Sequence, residues 1–156
     1  MIIYTDGSAH PNPGPGGFGV IVLDNNENLL YNYNRQFTQS AVTNNQMELK
    51  AILYTMLNYG SKDNPPIVYS DSSYCINTLN TWMFNWAKNK WLKYDDNPPE
   101  NLEIIKTYYD WYQRGYRINL QKVKGHSSNK WNNLVDKLAT GKITTSEVYK
   151  KYGKHN

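Results

Sequence analysis

The chain reads as one α/β domain built on a mixed five-stranded sheet, three antiparallel leading strands followed by parallel ones, with helices on both faces. Three observations predict this. Period-two apolar patterning fills the opening of the sequence, three- and four-residue spacing takes over at residue 43, and helix-like and strand-like stretches alternate from there. The 156 residues suit a single core that buries roughly two-thirds of the unfolded surface. No internal repeat or linker interrupts them. The expected division is a domain over 1–140 and a polar, Lys-rich tail over 141–156.

Residues 1–5 form the first strand, which ends on Asp6 before Gly7, a residue that permits a sharp turn. Residues 11–17 are dense in Pro and Gly, so no regular element is expected to persist there. Strands follow over 18–23 and 29–37, joined by the turn Asp24-Asn25-Asn26-Glu27-Asn28. Met47, Leu49, Ile52, Leu53, Met56 and Leu57 then mark a helix with one buried stripe, capped by Thr43 or Asn44 and ended by Tyr59-Gly60. Prolines bound a short buried strand over 67–70, which ends on a second carboxylate, Asp71.

Helical stretches are expected over 71–79 and 81–89, the latter with Trp82 and Trp86 at i and i+4, and over about 100–113 behind Asn97-Pro98-Pro99. A last strand occupies 118–123 and a last helix 132–139, with Leu134 and Leu138 inward. The tail is expected to be loosely held, with one helical turn around 146–152. A right-handed crossover through the residue-43 helix sets strand 67–70 parallel to strand 1–5. Asp6 and Asp71 then emerge side by side at the carboxyl ends, where ligand crevices open. Two such carboxylates raise each other's pKa unless a cation sits between them, and a hard divalent ion is the natural occupant.

Composition narrows the function classes. One cysteine, Cys75, excludes an intrachain disulfide and suits a reducing compartment. Neither a basic-then-apolar leader nor an apolar run near 18 residues is seen, so a soluble, cytoplasmic protein without membrane contact is expected. The net charge of +4 suits a polyanionic partner without requiring one. The aromatic content of 14% does not by itself argue for base stacking.

Several segments together resemble one known family. They are Thr5-Asp6-Gly7-Ser8, the run from Asn12 to Gly17, Thr43-Asn44-Asn45-Gln46-Met47-Glu48-Leu49, Asp71-Ser72, Trp82 with Asn85-Trp86 and Trp91, Val123-Lys124-Gly125-His126, and Asn132 through Asp136 to Leu138-Ala139. In this order and spacing they resemble type 1 ribonuclease H, similar to the bacterial enzymes, over about residues 1–140. The resemblance implies a ribonuclease H-like fold and an endoribonuclease that cuts the RNA strand of RNA/DNA hybrids, leaving 5′-phosphate and 3′-hydroxyl ends. It also implies Asp6, Glu48, Asp71 and Asp136 as ligands of two Mg²⁺ ions, with Mn²⁺ as a substitute, about 4 Å apart. His126 matches a mobile histidine assigned to proton transfer or product departure.

Each residue also has a plainer reading. Asp6 can be a turn residue, and a first-turn Glu48 can serve the helix dipole or close a capping box, which spacing alone favours. Asp136 can sit on a solvated helix face, and His126 can be a solvated loop side chain. Asn12 and Asn44 match RNA-strand contacts, Asn12 facing the 2′-hydroxyls by which RNA is told from DNA. Asn45, Thr43 and Asn101 match DNA-strand contacts. Asx-turns or helix caps are the alternatives for the asparagines. Trp86, Lys88, Lys90, Trp91 and Lys93 resemble a basic protrusion that grips the DNA strand, although Trp at i and i+4 is more often core.

Two departures stand out. Ala41 occupies a position where the family often has a phosphate-pocket Arg, and Asp95-Asp96 interrupts the protrusion, so weaker binding or altered salt dependence is expected. The alternatives are a non-catalytic module that binds hybrid or double-stranded RNA, and a different nuclease or resolvase on the same fold. Monomer is the default oligomeric state.

Overall fold

A computed structural model describes residues 1–123 and 129–153 of the chain. Three strands lead, β1 (Ile2–Ala9), β2 (Gly14–Leu23) and β3 (Leu29–Val42), followed by α1 (Asn44–Tyr59) and β4 (Ile67–Ser70). Next come α2 (Ser73–Asn77), a π-helical turn (Thr78–Trp82), α3 (Met83–Lys88), α4 (Leu102–Gln113), β5 (Asn119–Lys122), α5 (Lys130–Ala139) and α6 (Thr145–Tyr152). The sheet order is β3-β2-β1-β4-β5, antiparallel across the first three strands and parallel from β1 to β4 to β5. This is the expected fold class.

Strand alternation divides the core into two layers. Ile3, Val20, Val22, Val68 and Leu120 face the side covered by α1, α2 and α4, where they meet Leu49, Ile52, Met56, Cys75 and Ile105. Tyr4, Ile21 and Leu23 face the opposite side, packing on Trp131, Leu134, Val135 and Leu138 of α5 and Val148 of α6. No described helix is long and apolar enough to cross a membrane.

Several boundaries differ from the sequence expectation for physical reasons. β1 does not stop at Asp6: it runs on to Ala9, paired with β2 as Asp6 with Gly19, Ser8 with Gly17 and Ala9 with Gly16. The Gly-rich run is therefore partly strand. Its glycines admit neighbours that side chains would exclude, since a Cβ on Gly16 would stand 2.5 Å from the Ser8 carbonyl oxygen. Pro15 falls at the β2–β3 register shift between Gly14 and Gly16, where a residue without an N–H is tolerated. β3 continues to Val42, beyond the expected end at 37.

The tail is polar but is not loosely held over 145–152. Thr144 and Glu147 form a capping box at the start of α6, Val148 is fully buried, and the Tyr152 ring packs on Trp131 at 5.3 Å. Val148 and Tyr152, a single i, i+4 pair among polar residues, were too short a periodic signal to reveal this docking.

Candidate active site

Parallel pairing of β1 with β4 reaches only Tyr4 with Tyr69. Beyond it β1 overhangs its neighbour, and Asp6 sits on the overhang next to the end of β4. Asp71 follows β4 directly, before Ser72 caps α2 by accepting from the Cys75 N–H at 3.1 Å. The side-by-side arrangement expected of the two aspartates is thus present, although Asp6 lies inside a strand and not at its end.

Two glycines bring helices against Asp6 from opposite faces. A Cβ on Gly7 would lie 2.3 Å from the Glu48 backbone nitrogen, so the first turn of α1 rests on the β1 backbone. A Cβ on Gly19, the β2 partner of Asp6, would lie 2.7 Å from Leu138 Cβ and 3.1 Å from the Val135 carbonyl oxygen. The helix carrying Asp136 therefore approaches as closely as a glycine permits. The sequence marks Gly7 as a turn residue and gives no signal at Gly19; both serve close approach.

The capping box of α1 decides between the two readings of Glu48. Thr43 Oγ1 accepts from the Gln46 N–H at 3.1 Å, and Gln46 Oε1 accepts from the Thr43 N–H at 2.9 Å. Gln46 closes the box, so Glu48 has no capping duty and turns inward. Asp6 and Glu48 are only 5% and 8% exposed. One carboxylate oxygen from each of Asp6, Glu48 and Asp71 lies within 4.8 Å of the others. Gly7 N–H donates to Asp6 Oδ1 at 2.9 Å, whereas the buried Glu48 Oε2 has no hydrogen-bond partner among the described residues.

Asp136 is exposed on α5 and is not one of the three residues whose oxygens converge, but its charge acts on both Asp6 and Asp71. Burial raises the Asp6 carboxyl to about 7; the hydrogen bond with Glu48 opposes the rise, and the charges of Asp71 and Asp136 add to it. Burial, then the charge of Asp6, pushes Glu48 well above the usual carboxylate range. Burial also raises Asp71, while the positive charge of Lys122 lowers it. Crowded, desolvated carboxylates with one buried oxygen lacking a partner fit a hard divalent cation with oxygen ligands.

The surrounding surface holds the other predicted residues. Asn44 Oδ1 accepts from the Ala9 N–H at 2.7 Å, and Asn12 Oδ1 accepts from the Asn44 N–H at 3.1 Å, which ties the Pro/Gly loop to the α1 N-terminus. Asn45 sits in the first turn of α1. Asn101 adopts a left-handed backbone (φ 60°) before α4 and donates to the Tyr74 hydroxyl at 3.1 Å. It lines a pocket with Gln46 and Lys50, which does not include Thr43.

Trp82 and Trp86 rings are 6.2 Å apart and line an open pocket with Lys93 and the almost fully exposed Tyr94. Lys88 and Lys90 are exposed, whereas Trp91 packs edge-on against Tyr109 at 5.3 Å. Lys93 pairs with Asp95 at 3.8 Å. His126 lies outside the described residues.

The RNase H family model matches residues 1–144. The chain belongs to the ribonuclease H family. A ribonuclease H of Thermoanaerobacter sp. (strain X514) is 41% identical over 147 residues, spanning 90% of this chain and 88% of the relative. The ribonuclease HI of Rickettsia prowazekii is 34% identical over 155 residues, 98% of this chain and 97% of the relative. Among solved structures, LC11-RNase H1 in complex with an RNA/DNA hybrid superposes with a TM-score of 0.62 at 26% identity, covering 88% of this chain and 92% of that one. The PFV RNase H domain shares the fold, with a TM-score of 0.73 at 22% identity, over 88% of this chain and 90% of that one. This chain gathers Asp6, Glu48 and Asp71 beside the carboxyl end of β4, with Asp136 on the adjoining helix α5.

Proposed function

We propose that this nuclease cuts the RNA strand of RNA/DNA hybrids endonucleolytically by a two-metal-ion mechanism, leaving 5′-phosphate and 3′-hydroxyl ends. The observation that carries the reading is the convergence of Asp6, Glu48 and Asp71 oxygens within 4.8 Å of one another, on a family member. Asp6, Glu48, Asp71 and Asp136 would hold two Mg²⁺ ions, with Mn²⁺ able to replace them. Bound divalent ions supply an activated water for in-line attack on phosphorus and neutralise charge on the departing oxygen.

The chain's own groups do the rest. Asp6 is held by the strand backbone and the Gly7 N–H, so it needs no reorganisation when substrate arrives. Glu48 and Asp136 approach it from opposite faces of the sheet through the two glycine contacts. Asn12 and Asn44, already joined to each other, present polar groups to the 2′-hydroxyls that distinguish RNA from DNA. Asn45, Thr43 and Asn101 take the DNA strand near the cut. Trp86, Lys88, Lys90, Trp91 and Lys93 hold it further along, by charge and stacking. His126 serves proton transfer or product departure. The enzyme acts as a cytoplasmic monomer, its catalytic domain spanning 1–140.

Cleavage assays on labelled hybrid, double-stranded RNA and duplex DNA, each with Mg²⁺, Mn²⁺ or EDTA, test this reading. Cutting confined to the RNA strand of the hybrid and abolished by EDTA is expected. Tight hybrid binding without cleavage would favour a binding module, and cutting of duplex DNA a different nuclease.

A further inference from the structure

Lys122 is the last residue of β5, the edge strand beside β4, and stands in register with Ser70, one residue before Asp71. Side-chain alternation puts it on the same sheet face as Leu120, the face covered by α2. There its Nζ donates to Ser73 Oγ at 2.6 Å. Ser73 is the first residue of α2, two positions after Asp71. A long, exposed lysine is thereby tethered at the rim of the carboxylate cluster.

The tether leaves the charge unspent. A serine hydroxyl takes one of three ammonium donors and neutralises nothing. Among the described residues Lys122 has no carboxylate within ion-pair distance, the only such pair being Lys93 with Asp95. Its field nevertheless reaches Asp71. A tethered cation whose charge reaches Asp71, and which has no carboxylate partner among the described residues, matches one ligand chemistry: a phosphate oxygen of a strand lying across the cluster. It does not suit a metal, which its charge would repel.

We propose that Lys122 is a substrate-positioning residue that holds a non-bridging oxygen of the phosphate next to the one being cut, with Ser73 orienting it. The proposal rests on the nuclease reading. It adds a residue whose only sequence signal is membership of the last strand, and it supplies a cation close to the cut in a chain where Lys93 is paired with Asp95.

The test compares wild type, Lys122→Met, Lys122→Arg and Ser73→Ala in hybrid cleavage and in EDTA-treated hybrid binding across a salt series. Lys122→Met should raise KM several-fold with kcat nearly unchanged, and make the salt slope of binding shallower by about 0.9, the share of one phosphate contact. Lys122→Arg should restore both. Ser73→Ala, which keeps the charge, should raise KM less and leave the slope as in wild type. Mn²⁺ titration of Lys122→Met should show affinity equal to or tighter than wild type. Unchanged KM and slope would overturn the proposal, as would a loss confined to kcat with weakened Mn²⁺ binding. If wild type leaves the hybrid uncut, the nuclease reading fails; if it cuts and Lys122→Met matches it, only the role of Lys122 fails.

Discussion

Asp6 is the residue at which strand, helix contacts and electrostatics meet. Its raised pKa of about 7 and the upward shift at Glu48 make the metal-free protein pH-sensitive. Between the unfolded carboxylate pKa near 4 and the folded value near 7, the folded state binds more protons than the unfolded one, so stability falls as pH rises through that window. Thermal melts in EDTA should therefore give a lower Tm at pH 8 than at pH 5.5. Adding Mg²⁺ should recover Tm at pH 8 and have little effect at pH 5.5, where protons occupy the ligand oxygens. In Asp6→Asn the pH dependence in EDTA should shrink. A Tm flat across this range would contradict the crowding described for these carboxylates.

At this scale the sequence was uneven in what it revealed. Asp6 and Asp71 were legible because each follows a compact apolar run. Glu48 was not, because spacing alone favours a cap or dipole role for a first-turn acid until Gln46 is seen closing the box. Asp136 had only its family position: on a helix with Leu134, Val135 and Leu138 inward, nothing in the spacing distinguishes an exposed acid that reaches Asp6 from one that faces solvent.

The elements themselves were read from periodicity, and their order and pairing follow from short connections and crossover handedness. What periodicity could not supply was close approach. Gly7 and Gly19 carry no side-chain signal, yet they set how near α1 and α5 come to β1. Gly19→Ala would thrust a methyl against Leu138 Cβ and the Val135 carbonyl, displacing α5 and with it Asp136. A stability loss of about 1–3 kcal/mol is expected. The drop in hybrid cleavage should exceed what the unfolded fraction explains, measured by urea unfolding alongside activity at a temperature where both proteins are folded.

The docking of α6 makes a second prediction. Removing two methyl groups at the fully buried Val148 in Val148→Ala should cost about 1.5–3 kcal/mol. That corresponds to a Tm lower by several degrees for a chain of this size. A loosely held tail would show no change.

For the whole molecule, the net charge of +4 says less than its distribution. Trp82, Lys88 and Lys90 are exposed and Trp86 is half-buried against the core, but Lys93 pairs its charge with Asp95. Asp95→Asn should release it to phosphate, strengthening hybrid binding at low salt and steepening the salt slope by about 0.9. Fluorescence anisotropy of a labelled hybrid between low and moderate salt would measure both, and an unchanged slope would place Lys93 away from the duplex. Composition suggested a polyanionic partner only weakly. The conformation of this segment includes a π-helical turn and positive φ angles at Lys90, Trp91 and Asp96, which no residue pattern announced.

The most direct measurement is cleavage of a labelled RNA/DNA hybrid by wild type and Asp71→Asn under single-turnover conditions, with Mg²⁺ or EDTA, alongside hybrid affinity. Asp71 is exposed enough for the substitution to leave the fold intact. Wild type should cut the RNA strand only with the metal. Asp71→Asn should bind hybrid comparably and cut it slower by a factor on the order of 10³, the loss of several kcal/mol of transition-state stabilisation. Cleavage by Asp71→Asn at an undiminished rate would contradict a metal site built on these carboxylates.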